Sequence, residues 1–336
     1  MRAAVLNETG GPDAVRLTET DRPVPADDEV LVEVAACGMC GHDQADRMGL
    51  TTIPLPEILG HEIAGTVVET GAKVQRVRPG DRVAKKQFTT CGRCPACFAG
   101  REIQCPDRVF NYGGFAEFVT AKESTLLPVP DGVGLAAASV VACAVGTCLQ
   151  ALRRIARLLP GETVVVTGAG GGLGLHGVQV AAALGARVIA LTGSAEKAAQ
   201  LKGLGADHVV TTADDGYWRE IMDVTDGRGA EVVLDNVGHP KVFSQCFRGL
   251  AHGGRYVFTG QVTGERVGFH PAFVFGKEAV ITGSASTLMS TFVDAMALVA
   301  EGTVTPVVAE YPLADVVRAF EDLDARRIVG RAVIVP

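Results

Sequence analysis

The 336-residue chain predicts an α/β fold in two parts, a β-rich first domain followed by a doubly wound parallel sheet. Two observations carry that class. Short β-like runs at 30–34, 63–68, 82–84 and 115–119 are separated by Gly, Pro and Asp, the texture of a loop-heavy β domain. From about residue 162 apolar strands alternate with helical stretches, with strands expected at 163–167, 187–192, 208–211, 231–235, 255–259 and 279–282. Continuous apolar runs of this kind argue for a parallel sheet covered on both faces. Helices at 292–301 and 313–323 and a last strand at 332–335 lie beyond the sixth strand, so the C-terminus is expected to return to the first domain. The expected division is therefore 1–148 with 285–336, and 149–284 as the second domain, with a ligand in a cleft between them.

Bulk properties narrow the function. A formal charge of −7 gives no electrostatic reason for nucleic acid or an acidic membrane as partner. The longest apolar stretch, 135–149, is shorter than a membrane span and is interrupted by Ser139, Gly146 and Thr147. The first residues, MRAAVLNETGG, lack the apolar core of a signal peptide, so a cytoplasmic location is expected. A small molecule is the expected substrate.

Cys91, Cys94, Cys97 and Cys105 read CxxCxxC, seven residues, then Cys. This spacing lets one loop fold four thiolates around a tetrahedral Zn²⁺, and four sulfurs leave no open position, so the site is structural. A disulfide cluster is the competing reading, and the expected reducing compartment argues against it.

The strand at 163–167 runs into Gly168, Ala169, Gly170, Gly171, Gly172, Leu173 and Gly174, and then a helix at 175–184. Glycines there admit a tight turn and let backbone N–H groups approach a pyrophosphate at the helix N-terminus. A dinucleotide is the expected cofactor. At the end of the second strand, Thr192, Gly193, Ser194, Ala195, Glu196 and Lys197 offer no terminal acid for the ribose hydroxyls. Ser194 and Lys197 suit a 2′-phosphate, which favours NADP(H) over NAD(H), although Ser194 is also a plain helix cap. Asn236 and Val237, after the strand 231–235, complete the candidate cofactor-binding set.

Cys40 in CGMCGHD, His61 in GHEIAGTVVETG and Cys143 in VVACAVGTC remain as soft ligands in separate regions. Two thiolates and an imidazole would leave a fourth zinc position open for chemistry. A lone His beside a Glu is as readily a packing residue, and a Cys in an Ala/Val run a small core residue. Residues alone leave both readings open.

The combination of GHE with Gly65 and Gly71, the four-Cys lobe and the later Gly-rich turn resembles the zinc-containing medium-chain dehydrogenase/reductase family, of the alcohol dehydrogenase type, over essentially the whole chain. The resemblance implies a GroES-like catalytic domain, a Rossmann domain, and a catalytic zinc on Cys40, His61 and Cys143. It further implies Asp43 as the carboxylate orienting the ligand His, Glu62 as the acid beside the metal, Thr147 near the nicotinamide, and a homodimer or homotetramer built on the edge strand 279–282. Cys37, Cys148 and Cys246 match no ligand position and read as core thiols. Two departures stand out. His42 replaces the usual hydroxyl two places after the Cys ligand, with Ala45 at an occasional relay position; GAGGGLG is one residue longer than GxGxxG and is similar to the turn of the quinone and enoyl reductase branch, near the acryloyl-CoA-reductase-like members. Zinc-dependent hydride transfer between NADP(H) and a carbonyl or alcohol is the expected activity. Conjugate reduction of an α,β-unsaturated carbonyl or thioester is the alternative, and a non-catalytic cofactor-binding protein is an alternative of another class.

Overall fold

The structure is a computed structural model and describes residues 1–212, 215–261 and 264–336. Its chain divides into two compact units, Met1–Gly146 with Ser286–Gly302 and Pro306–Pro336, and Thr147–Ala285 with Thr303–Thr305.

The first unit is built on a seven-stranded sheet. Its path runs Leu126–Pro128, Arg82–Lys85, Glu62–Thr70, Glu29–Met39, Arg331–Val335 and Val308–Pro312, with Phe118–Lys122 also paired to Glu29–Met39. The 11-residue strand Glu29–Met39 is the hub. It is buried over most of its length, so its β-branched and small apolar residues, Val30, Val32, Val34 and Ala36, pack on sheet neighbours from both sides. Bulges at Leu31/Val32 and Val34/Ala36 bend it and let it serve two partners on one side. At its C-terminal end Gly38 faces Glu62 and Met39 faces Ala332, so three strands finish beside Cys40. A smaller sheet orders Val15–Glu19, Arg2–Leu6 and Glu57–Ile58. One apolar core unites these elements through residues such as Leu6, Leu59, Ile63, Phe115, Phe320 and Ile334.

The second unit is a six-stranded, wholly parallel sheet in the order His208–Thr211, Arg187–Thr192, Thr163–Val166, Ala230–Asp235, Leu250–Phe258, Val280–Gly283. The central strand Thr163–Val166 is buried at every residue, which is why it reads as an unbroken apolar run instead of an alternation. Chain order reverses between Thr163–Val166 and Ala230–Asp235, the switch point at which such sheets take ligands. Among the described residues the sixth strand has a partner on one side only.

The apolar stretch after residue 134 continues as one helical segment, Leu135–Ile155, broadened by π-type turns at Val141–Val145 and Gln150–Ile155. It is long and apolar enough to cross a membrane by composition, longer than the run read from sequence, yet 78% of its most apolar window is buried within the protein. Burial of that kind marks a core helix.

Candidate metal and dinucleotide sites

The four lobe cysteines come together as their spacing predicts. Their sulfurs lie within 4.8 Å of one another, with Cys91–Cys105 and Cys94–Cys97 Sγ distances of 3.6 Å. Zn–S bonds of about 2.3 Å in a tetrahedron set sulfurs roughly 3.8 Å apart, so the cage fits that ion. Local backbone prepares the sulfurs. Cys94 caps the helix Pro95–Phe98 and accepts from the Cys97 amide, and Cys105 Sγ accepts from the Cys91 amide. The Arg93 amide, donating to Cys91, brings that thiol down to about 7. Donors aimed at sulfur favour thiolate, the form that binds metal.

Cys40, His61, Glu62 and Cys143 form a second cluster, again with all ligand atoms within 4.8 Å. Residues about a hundred positions apart meet because the strands ending at Met39 and beginning at Glu62 are neighbours. Cys40 caps the helix Gly41–Arg47 and donates its amide to Asp43 Oδ2 at 2.7 Å, closing a capping box. The other carboxylate oxygen of Asp43 accepts from the Gly60 amide at 3.1 Å and meets His61 Nδ1 at 3.2 Å. That contact leaves Nε2 of His61 toward the ligand cluster, where it lies 3.9 Å from Glu62 Oε1. Burial opposes the imidazolium, but Asp43 and Cys40 outweigh it and hold the His61 pKa well above its usual range. Hydrogen bonding with Cys143 pulls Cys40 well below the ordinary thiol range.

Glu62 is fully buried, and neither carboxylate oxygen has a hydrogen-bond partner among the described residues. Arg331 Nη2 stands 3.2 Å from Oε1 as an ion pair without hydrogen-bond geometry. Burial pushes Glu62 up to about 7, against the pull of Arg331. A buried, unsatisfied carboxylate among two thiols and an imidazole is a donor set suited to a dication. Thr147 is buried four residues beyond Cys143 in the chain.

His42 is exposed, and an aromatic cluster connects it to the metal-ligand set. Its ring stacks on Phe110 at 4.9 Å and meets the His61 ring edge-on at 5.7 Å. Nε2 lies 3.3 Å from Tyr112 Oη, which donates to the buried Asp46 carboxylate at 2.9 Å. Arg331, Asp46 and the stacking role of Phe110 were missed in sequence. An Arg opening an otherwise apolar buried strand, RAVIV, was the one available signal for Arg331.

In the second unit, Gly168 takes φ +58°, and a Cβ on Gly174 would stand 2.2 Å from the Gly168 carbonyl, so the turn closes only with glycine at that place. Gly171 caps the helix Gly172–Ala183 without any side-chain bond, leaving the first amides of Gly172, Leu173 and Gly174 for an anion. Lys197 Nζ donates to the Gly170 carbonyl at 3.1 Å, and Thr192 Oγ1 accepts from the Ser194 amide at 3.2 Å, so Thr192, Ser194 and Lys197 lie around the same turn. The Ser194 side chain makes no helix-capping bond. Asn236 Nδ2 donates to the Thr167 carbonyl at 3.0 Å and its Oδ1 accepts from Thr259 at 2.6 Å, so its side chain braces the strand ends, while Val237 packs near Gly168.

Family models match as the alcohol dehydrogenase GroES-like domain over residues 26–131 and the zinc-binding dehydrogenase over 172–301. An acryloyl-coenzyme A reductase of Sulfurisphaera tokodaii is 33% identical, the match covering all of both chains, and an NAD-dependent alcohol dehydrogenase of the same organism is 33% identical over the same full coverage. The solved structure of AibC superposes with a TM-score of 0.93 at 37% identity, covering 100% of this chain and 96% of the other; an alcohol dehydrogenase of Aeropyrum pernix gives 0.94 at 30%, covering 100% of both. An oxidoreductase class follows from fold and site together. The chain belongs to the zinc-containing medium-chain dehydrogenase/reductase family, alcohol dehydrogenase type.

Proposed function

We propose that this chain is a zinc-dependent, NADP(H)-preferring oxidoreductase that moves hydride between the nicotinamide and a carbonyl or alcohol carbon. The observation that carries the reading is the buried cluster of Cys40, His61, Glu62 and Cys143, with its unsatisfied carboxylate and its His fixed by Asp43. Zinc held by Cys40, His61 and Cys143 supplies Lewis acidity toward a substrate oxygen, and the nicotinamide supplies or receives hydride. Asp43 keeps the His61 ring in one orientation and one tautomer. Arg331 offsets the negative charge that Glu62 and the thiolates concentrate in a buried space. His42, 5.7 Å from the His61 ring and joined to Tyr112 and Asp46, is the group we assign to carry the product hydroxyl proton.

NADP(H) preference rests on Lys197 and Ser194 beside the glycine turn, with no acid closing the second strand. Assembly as a homodimer through the edge strand Val280–Gly283 is supported by one side that is unpaired among the described residues and by exposed Val280, Phe273 and Phe275 nearby in the chain. A cytoplasmic location accompanies this reading.

Conjugate reduction is the second reading, favoured by His42 in the hydroxyl position and by the full-length similarity to proteins named acryloyl-coenzyme A reductase. A panel of aldehydes, ketones, alcohols and enoyl thioesters with NADPH and NADH tests both. Aldehyde or ketone reduction at a rate at least comparable to the C=C supports the proposal. Reduction of the C=C alone replaces it with the second reading.

A further inference from the structure

Where the parallel sheet of the second unit reverses its order, three neighbouring strands are tied to one carboxylate. Asp235 closes the strand Ala230–Asp235 and is fully buried. Its Oδ1 accepts from Thr167 Oγ1 at 2.8 Å, from the Val237 amide at 2.9 Å and from the Gly238 amide at 3.1 Å, and its Oδ2 accepts from Tyr256 Oη at 2.7 Å. Thr167 directly follows the strand Thr163–Val166, and Tyr256 lies in Leu250–Phe258. The Thr167 hydroxyl is held from both sides, since Oγ1 also accepts from the Asn236 amide at 3.0 Å.

A buried carboxylate is costly unless donors surround it, and hydrogen bonds to an ionised acceptor are about twice as strong as neutral ones. All four donors here are neutral, so Asp235 serves them as an acceptor and not as half of an ion pair. Three of them meet on one oxygen, which fixes the turn after Thr163–Val166 against the turn after Ala230–Asp235. Those two turns carry candidate dinucleotide residues. Gly168, at φ +58°, comes directly after Thr167, and Val237 Cγ2 stands 3.0 Å from where a Gly168 Cβ would be. A shift of Thr167 or Val237 would therefore displace the glycine turn, and binding sites tolerate only about 0.5 Å of misplacement.

We propose that Asp235 is a positioning residue for the dinucleotide, a buried acceptor that holds Gly168 through Thr167 and holds Val237 through the amides of its own turn. The role rests on the reading that the nicotinamide cofactor binds at the glycine turn, and it makes part of the cofactor affinity depend on a residue outside the cofactor-binding set.

Titration of the metal-loaded full chain with NADPH and NADH, followed by nicotinamide fluorescence beside the thermal midpoint of each variant, tests this. Asp235→Asn keeps the size and one acceptor oxygen but makes the bonds neutral, and it should weaken the better-bound cofactor by roughly tenfold. Thr167→Val, which keeps the shape and removes the hydroxyl, should do the same, while Thr167→Ser restores the hydroxyl and should bind within about twofold of the parent. Thr225→Val is the matched control. Its hydroxyl is as deeply buried and joins the Ile221 carbonyl to the Gly229 amide, at the opposite end of the strand Ala230–Asp235 and roughly 16 Å along it. It should lower the thermal midpoint comparably and leave the affinity unchanged. Parental affinity in both Asp235→Asn and Thr167→Val makes the network a structural brace only and overturns the proposal, as does an equal loss in Thr225→Val. A parent that binds neither cofactor removes the reading on which the proposal rests, before any variant is compared. Thr167→Val against Thr167→Ser carries the test should Asp235→Asn not fold.

Discussion

Replacing Lys85 by Met should stabilise the protein, and by an amount that depends on pH in a defined way. Lys85 is buried in the strand Arg82–Lys85, its ammonium has no acceptor among the described residues, and burial pushes its pKa from 10.5 down to about 8. That displacement corresponds to about 3 kcal/mol of cost for keeping the charge in the folded state. Below pH 8 both folded and unfolded chains hold the proton, so the full cost is present at neutral pH. Between about 8 and 10.5 the unfolded chain binds more protons, and stability of the parent rises with pH; above 10.5 both states are neutral and the cost is gone. Methionine has nearly the same length and no charge, so it removes the cost without opening a large cavity. Urea unfolding of parent and Lys85→Met at pH 7, 9 and 10.5 should give a gap of about 3 kcal/mol that narrows steadily toward zero. A variant less stable than the parent at pH 7, or a gap independent of pH, would show that the amine is paired and refute the reasoning.

Other consequences are as direct. Cys94→Ser should remove one metal ion per chain and cost on the order of several kcal/mol in unfolding experiments, because binding energy at a closed site is folding energy. Lys197→Ala should weaken NADPH binding by about tenfold and spare NADH, measured by nicotinamide fluorescence; equal affinity of the parent for both cofactors would remove the assignment. Val280→Lys places a charge on the bare edge strand and should convert a dimer into the 34.9 kDa monomer by light scattering, whereas a parent already monomeric at micromolar concentration rules the edge pairing out.

The four-Cys lobe was legible because its ligands lie within fifteen residues and the geometry is carried by local backbone. The inner strands Thr163–Val166, Arg187–Thr192 and Ala230–Asp235 were legible for a related reason, since a strand buried on both faces has to be apolar throughout. Strand ends were less so. The fifth strand begins at Leu250, ahead of the polar and glycine residues His252, Gly253 and Gly254 that suggested a later start, and the hub strand continues to Met39 through bulges that no alternation pattern reveals. At the metal cluster, Cys40, His61 and Cys143 were ambiguous from residues alone and acquired roles through a family resemblance. Arg331 and the stacking of Phe110 on His42 were not legible. The first arrives only because the last strand returns to pair Ala332 with Met39, and the second because a two-stranded hairpin aims its ring at His61 and His42, both decided by contacts remote in sequence.

Metal content read alongside turnover tests the central claim, that an open zinc site at Cys40, His61 and Cys143 performs the chemistry. The parent should hold two zinc ions per chain and reduce a carbonyl with NADPH, while Cys40→Ser should hold one, keep its fold by circular dichroism and lose several kcal/mol of transition-state stabilisation, roughly 10³-fold in rate. A Cys40→Ser protein that has lost that ion and still turns over at the parental rate, or a parent that holds only the ion of the four-Cys lobe, would contradict the account.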